Sequence, residues 1–191
     1  MKIYDISQEL TTCEVFTGDI APQVTMVKNI ADDEYNLSNL TMCVHNGTHI
    51  DAPKHFLADG KAVDELPLAY FIGKAQVVEA NGKIDETAVN AMNLEAKRVL
   101  FKGNGVLTES GAVALAEKGV ILVGTESQSV GDSLKPMEVH KILLKEKIIP
   151  LEGIRLGSVK CGEYYLLAQP LNIAGCDGSP VRAVLIDKFD E

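Results

Sequence analysis

Residues His45-Asn46-Gly47-Thr48-His49-Ile50-Asp51-Ala52-Pro53-Lys54-His55 hold three of the chain's four histidines, together with an aspartate, a glycine and a proline. Neutral imidazole and carboxylate are the donors that zinc accepts, and catalytic zinc sites take three of them from the protein and keep a position for water. His45, His49 and Asp51 supply that set within one short stretch. A histidine pair four apart can share one face of a helix, but Gly47 is a poor helix former and Pro53 disfavours helix at Ala52. The stretch therefore predicts a shaped loop. On it Gly47 takes a positive φ, and the Thr48 hydroxyl holds the ligands in place. Asp51 has two oxygens and can bind one ion or bridge two. His55, beyond the proline, is positioned for proton transfer near neutral pH, which predicts a general acid/base and not a ligand.

The segment from His45 to His55 fits the pattern H-x-G-T-H-x-D-x-P-x-H, and in this it resembles the cyclase family of metal-dependent hydrolases. That family includes bacterial kynurenine formamidases and isatin hydrolases. The resemblance extends along most of the chain. It implies an α/β fold of the swivelling β/β/α type with a mixed sheet, and a homodimer or homotetramer. It also implies that His140 and Glu152, within Leu151-Glu152-Gly153-Ile154, complete a second ion position with the shared Asp51. The ions implied are zinc or manganese, one or two per chain. In the family an aromatic-Pro-Gly-Asp element walls the substrate pocket. Here it reads Phe16-Thr17-Gly18-Asp19, which places Phe16 at the pocket without the proline. Where Glu126 stands the family carries an aspartate, so Glu126 is expected to support the site with altered geometry. The tail from Pro170 to Leu185 resembles the family's closing segment.

A length of 191 residues with 46% hydrophobic content predicts one domain spanning 1–191. The sequence contains no apolar run of about 18 residues, and Met1-Lys2-Ile3-Tyr4-Asp5 is not a signal region, which predicts a cytoplasmic protein. A net charge of −9 without a basic cluster argues against nucleic acid and anionic membranes as partners and leaves a small-molecule substrate. Cys13, Cys43, Cys161 and Cys176 lack C-x-x-C spacing, so they read as buried free thiols.

Strands are predicted over Lys2–Ser7, Val24–Asn29, Leu37–Val44, Ala75–Ala80, Arg98–Phe101, Val120–Val123, Ile148–Leu151, Tyr164–Gln169 and Val181–Ile186. The third delivers His45 at its end and sets Cys43 on the same face. Helices are predicted over Asp85–Leu94, with Asp85 as N-cap, over Ser110–Lys118, stopped by Gly119, and over Met137–Lys147. The strand-helix-strand run ending at Val123 predicts a parallel crossover, and the loop Gly124–Val130 after it a second wall of the site. Gly178-Ser179-Pro180 reads as a turn, and Arg182 as one half of an ion pair.

Metal, water and histidine suit hydrolysis. The resemblance narrows this to an amide-type C–N bond, in an aryl formamide such as N-formylkynurenine or in a cyclic amide. Two other readings fit His45, His49 and Asp51: the 2-His-1-carboxylate triad of a non-haem iron oxygenase, and a metal-dependent binding protein without turnover.

Overall fold

The computed structural model describes residues 1–132 and 136–187. Its strands are β1 (Ile3–Asp5), β2 (Gln23–Lys28), β3 (Leu37–Thr41), β4 (His49–Asp51), β5 (Ile72–Glu79), β6 (Lys83–Ile84) and β7 (Arg98–Lys102). They continue as β8 (Val106–Leu107), β9 (Leu122–Thr125), β10 (Ile149–Glu152), β11 (Gly162–Leu167), β12 (Gly178–Pro180) and β13 (Val184–Ile186). The helices are α1 (Ile30–Asp33), α2 (Glu86–Ala91), α3 (Glu109–Glu117) and α4 (Pro136–Lys145).

Nine strands form one mixed sheet in the order β1-β13-β11-β5-β7-β9-β10-β4-β12. The centre, β5-β7-β9-β10, is parallel, and the strands on both flanks are antiparallel. Parallel neighbours need crossovers, and α3 provides the one between β7 and β9, as the sequence predicts. Successive strand residues face opposite ways. Val99, Phe101 and Val123 therefore pack with Leu115 and Leu143 of the helices, while Leu100 and Leu122 join Ile50, Leu151 and Leu166 in a second core across the sheet. Asp85 caps α2 by accepting from Ala88 N, and Gly119 follows α3 at φ +72°.

Strand boundaries differ from expectation where side chains interrupt the pattern. β3 stops at Thr41, so His45 lies in a turn and not at a strand end, and Cys43 does not share a strand face with it. Asn46 fixes that turn by accepting from Cys43 N at 2.9 Å. His49–Asp51, predicted as loop, is the strand β4, because β10 and β12 bracket it on both edges. Gly178–Pro180, predicted as a turn, is β12, an edge strand that tolerates a proline. The following strand begins at Val184 and not at Val181, and β9 begins two residues later than predicted. Among the described residues no helix is long and apolar enough to cross a membrane.

Candidate metal centre

β4 organises the site by strand period. His49 and Asp51 are two apart and project to one face, where the antiparallel register sets Glu152 opposite His49 and Gly178 opposite Asp51. Glu152 is the last residue of β10, at the carboxyl end of the parallel strands, where sheets of this kind bind ligands. Gly178 contributes absence: a Cβ there would sit 2.5 Å from His45 Cε1, so the glycine makes room for the His45 ring.

Gly47 has the predicted positive φ, +63°. This aims its carbonyl at His49 Nδ1, 3.0 Å away, which fixes the tautomer and leaves the Nε2 lone pair facing the carboxylates. Gly153 matches it at φ +66°, since a Cβ there would lie 2.4 Å from Gly47 O. The Thr48 hydroxyl donates to Gly153 O at 2.8 Å and accepts from Gln8 N at 2.9 Å. Thr48 therefore pins the two glycine turns together behind the site and does not line the pocket.

His49 Nε2 stands 3.6 Å from Asp51 Oδ1 and 3.3 Å from Glu152 Oε2. His140, carried by α4, places Nε2 3.3 Å from Asp51 Oδ2 and 3.0 Å from Glu152 Oε1. His45 Nδ1 is 3.0 Å from Asp51 Oδ1, and its Nε2 is 3.0 Å from Asp177 Oδ2. His55 stacks on His45 with centroids 4.0 Å apart and presents Nδ1 to the same Asp177 oxygen at 3.1 Å. Ligand atoms of His49, Asp51 and Glu152 converge within 4.8 Å of one another, as do those of His45, Asp51 and His55. His49 thus groups with Glu152 and not with His45, a division set by the β4–β10 register. All six residues expected to bind metal or transfer protons meet here.

The electrostatics are those of a site built around positive charge. Burial opposes a charge on His45, but Asp51 and Asp177 outweigh it and push the imidazole up to about 9. Burial likewise opposes charge on His140, and Asp51 and Glu152 push it up to about 11. His49 is raised against its burial by Glu152 and Asp51. Burial favours protonation of Asp51, but the adjoining imidazoles of His140, His45 and His49 hold it well below the usual carboxylate range. His55 moves the other way: burial, with the charge on His45, lowers it despite Asp51 and Asp177.

These residues fit a divalent cation. Asp51 Oδ2 is buried and accepts no hydrogen bond among the described residues. Three of the contacts, those of His49 with Asp51 and Glu152 and of His140 with Asp51, at 3.3–3.6 Å, are long for hydrogen bonds and near the edge, ~3.4 Å, of a tetrahedron with metal–ligand bonds of ~2.1 Å. His45–Asp51 and His140–Glu152 close to 3.0 Å.

A cavity of about 300 Å³ opens onto this cluster, lined further by Phe16, Phe56, Met137, Gln128 and Asp19. Phe16 stands at the mouth, as expected, 48% exposed. Gln128 and Ser129 come from the loop after β9, but Glu126 turns away. Its carboxylate accepts from Gly103 N and Leu156 N, both at 2.8 Å, so it braces the loop and does not touch the cavity. Arg182 pairs with Asp5 at the surface, outside this cavity. Asp177 and Asp19 were missed by sequence reasoning. Asp19 lay in the Phe16–Asp19 element that the resemblance had already placed at the pocket. Asp177, 132 positions from His45, carried no local signal.

A family model described as "Putative cyclase" matches residues 4–112. A kynurenine formamidase from Salinibacter ruber is 39% identical, with all of both chains covered. A structure described as a predicted metal-dependent hydrolase from Bacillus stearothermophilus superposes with a TM-score of 0.84 at 29% identity, over 98% of both chains. Isatin hydrolase A from Labrenzia aggregata shares the fold at 20% identity, with a TM-score of 0.85 over 98% of this chain and 94% of that one.

Proposed function

The chain belongs to the cyclase family of metal-dependent hydrolases, and from that membership we propose that it hydrolyses an amide-type C–N bond with zinc or manganese held by His45, His49, Asp51, His140 and Glu152. One observation carries the reading: His45, His49, His140 and Glu152 gather around Asp51 with His55 beside them, at the floor of a cavity of about 300 Å³. When bound, such an ion supplies Lewis-acid chemistry, lowering the pKa of a water and polarising a carbonyl. His55 supplies the proton transfers. Its Nδ1 donates to Asp177, so Nε2 is the atom that accepts the proton of the attacking water and returns it to the departing nitrogen. Burial and the neighbouring His45 charge lower its pKa, which keeps it neutral and ready to accept.

Phe16, Phe56 and Met137 give the cavity an apolar wall that suits an aryl substituent, while the polar floor takes the reacting carbonyl. The substrates this favours are an aryl formamide such as N-formylkynurenine, the reaction named for the Salinibacter relative, or a cyclic amide like that named for the isatin hydrolase. An iron oxygenase triad would use only His45, His49 and Asp51 and would leave the placement of His140 and Glu152 without a purpose.

The test is turnover of N-formylkynurenine and of isatin by zinc- and manganese-loaded protein, compared with His55→Ala. One substrate is expected to be hydrolysed, with kcat falling about 10²–10⁴-fold in the variant while bound metal is retained. Wild-type turnover in the variant would remove His55 from its role. Oxygen consumption with iron(II) and no hydrolysis would overturn the reading.

A further inference from the structure

A second cavity, of about 540 Å³, adjoins the one over the metal centre. Phe16, Gln128 and Ser129 line both, so the two meet along a rim made by the Phe16–Asp19 element and the loop after β9. Beyond the rim lie Lys83 of β6, Val106 of β8 and the loop residues Gly82, Gly131 and Asp132. Val106, 38% exposed, and Phe16 make the walls partly apolar, while Lys83 and Asp132 set one charge of each sign among them.

The two cavities differ in what they offer an anion. Among the described residues the first is lined by Asp19, Asp51 and Glu152 and by no lysine or arginine. Its imidazoles are committed to the ion and to proton transfer, so a carboxylate elsewhere on the substrate finds no counter-charge there. The chain as a whole carries −9, which repels such a group further. Among the described residues Lys83 is the one lysine or arginine that lines either cavity, and its ammonium forms no hydrogen bond or ion pair. A few charged or polar groups placed around an apolar cavity are what fix a ligand's orientation.

We infer that this second cavity is a subsite for an acidic arm of the substrate, with the carboxylate held by Lys83. The inference rests on the amide-hydrolase reading and selects within it. An aryl formamide whose ring carries an α-amino-acid arm occupies both cavities, whereas a bare cyclic amide occupies only the first. At neutral pH such an arm ends in a carboxylate and an ammonium, and Asp132 lines the cavity beside Lys83 to face the second of these. Gln128 stands where the arm would cross. It packs its amide against Gly153, and there, among the described residues, neither the amide nitrogen nor the oxygen has a hydrogen-bond partner. Turning that amide toward a polar group on the rim therefore breaks no bond and gains one.

The test uses the full, metal-loaded chain and two aryl formamides that differ only in the arm: N-formylkynurenine, and ortho-formamidoacetophenone, in which a methyl group replaces it. In wild type the ratio of their kcat/KM values is expected to favour N-formylkynurenine. That ratio should fall about five- to tenfold in Lys83→Gln, fall further in Lys83→Glu and recover in Lys83→Arg, with the loss lying in KM. Lys118→Gln replaces an exposed lysine that lines neither cavity and should keep the wild-type ratio. A ratio unmoved by every Lys83 variant overturns the subsite and leaves the hydrolase reading intact. An equal fall in Lys118→Gln also overturns it, because net charge alone would then explain the effect. Should neither formamide be hydrolysed, the hydrolase reading fails separately, and titration calorimetry with L-kynurenine decides the subsite. Binding that weakens in Lys83→Glu supports it; binding indifferent to Lys83, or no binding at all, overturns it.

Discussion

His55 places Nδ1 3.1 Å from Oδ2 of Asp177, and this contact decides which nitrogen of the ring is free to act. The carboxylate holds the Nδ1 proton, so Nε2 faces the cavity as the base. Asp177→Asn keeps the shape and removes the charge. Loss of the anion disfavours imidazolium, so the acid limb of the pH–rate profile is expected to move to lower pH. With it kcat should drop about 10–100-fold while KM holds. Steady-state kinetics across pH checks this, and an unchanged kcat with an unmoved acid limb would show that Asp177 does not act through His55.

Gly178 and His45 are in contact through a missing methyl group. Adding it in Gly178→Ala would bring Cβ to 2.5 Å from His45 Cε1, so the ring must swing away from Asp51 and Asp177. Metal bound per chain, measured by plasma mass spectrometry, is expected to fall. Since β12 is an edge strand, the sheet should survive and circular dichroism stay unchanged.

Protons stand in for metal when the site is stripped by chelator. His45, pushed up to about 9, and His140, pushed up to about 11, both exceed the unfolded value near 6.5. Groups raised on folding stabilise fully below their unfolded pKa and lose that contribution as pH rises through the folded one. Chelated protein should therefore lose thermal stability, on the order of a few kcal/mol, between about pH 7 and 11. Metal-loaded protein, whose imidazoles are already neutral, should show a much shallower decline. Melting curves of both forms across this range decide it.

The candidate site was legible in the sequence because six chemically matched residues, five proposed ligands and the proposed base His55, are found there: four in one short stretch, and His140 and Glu152 where the family resemblance placed them. Their division was not. Whether His49 belongs with His45 or with Glu152 depends on the β4–β10 register, and β4 itself was hidden, since three residues between a glycine turn and a proline give no strand period. Asp177 was invisible for a related reason. It meets His45 only because β12 pairs with β4, a contact between distant parts of the chain. The helices were the easier part: Asp85 and Gly119 mark their ends by local capping, which needs no tertiary knowledge.

Glu126 shows how a residue can sit near a site in sequence and still serve the fold. Its two oxygens accept from the backbone of two separate segments, Gly103 after β7 and Leu156 beyond Glu152. A carboxylate one methylene shorter spans less distance, so Glu126→Asp should keep one of these bonds and lose the other. Glu126→Ala loses both. With Leu156 N left buried, the cost is about 2 kcal/mol. Since no atom of Glu126 lines the cavity, metal content should be unchanged and kcat should move by no more than a few-fold. Denaturant unfolding together with metal analysis tests the pair of statements. A variant of full stability that lost its metal would return Glu126 to the site, and a graded loss of stability from Asp to Ala with metal intact would place it in the scaffold.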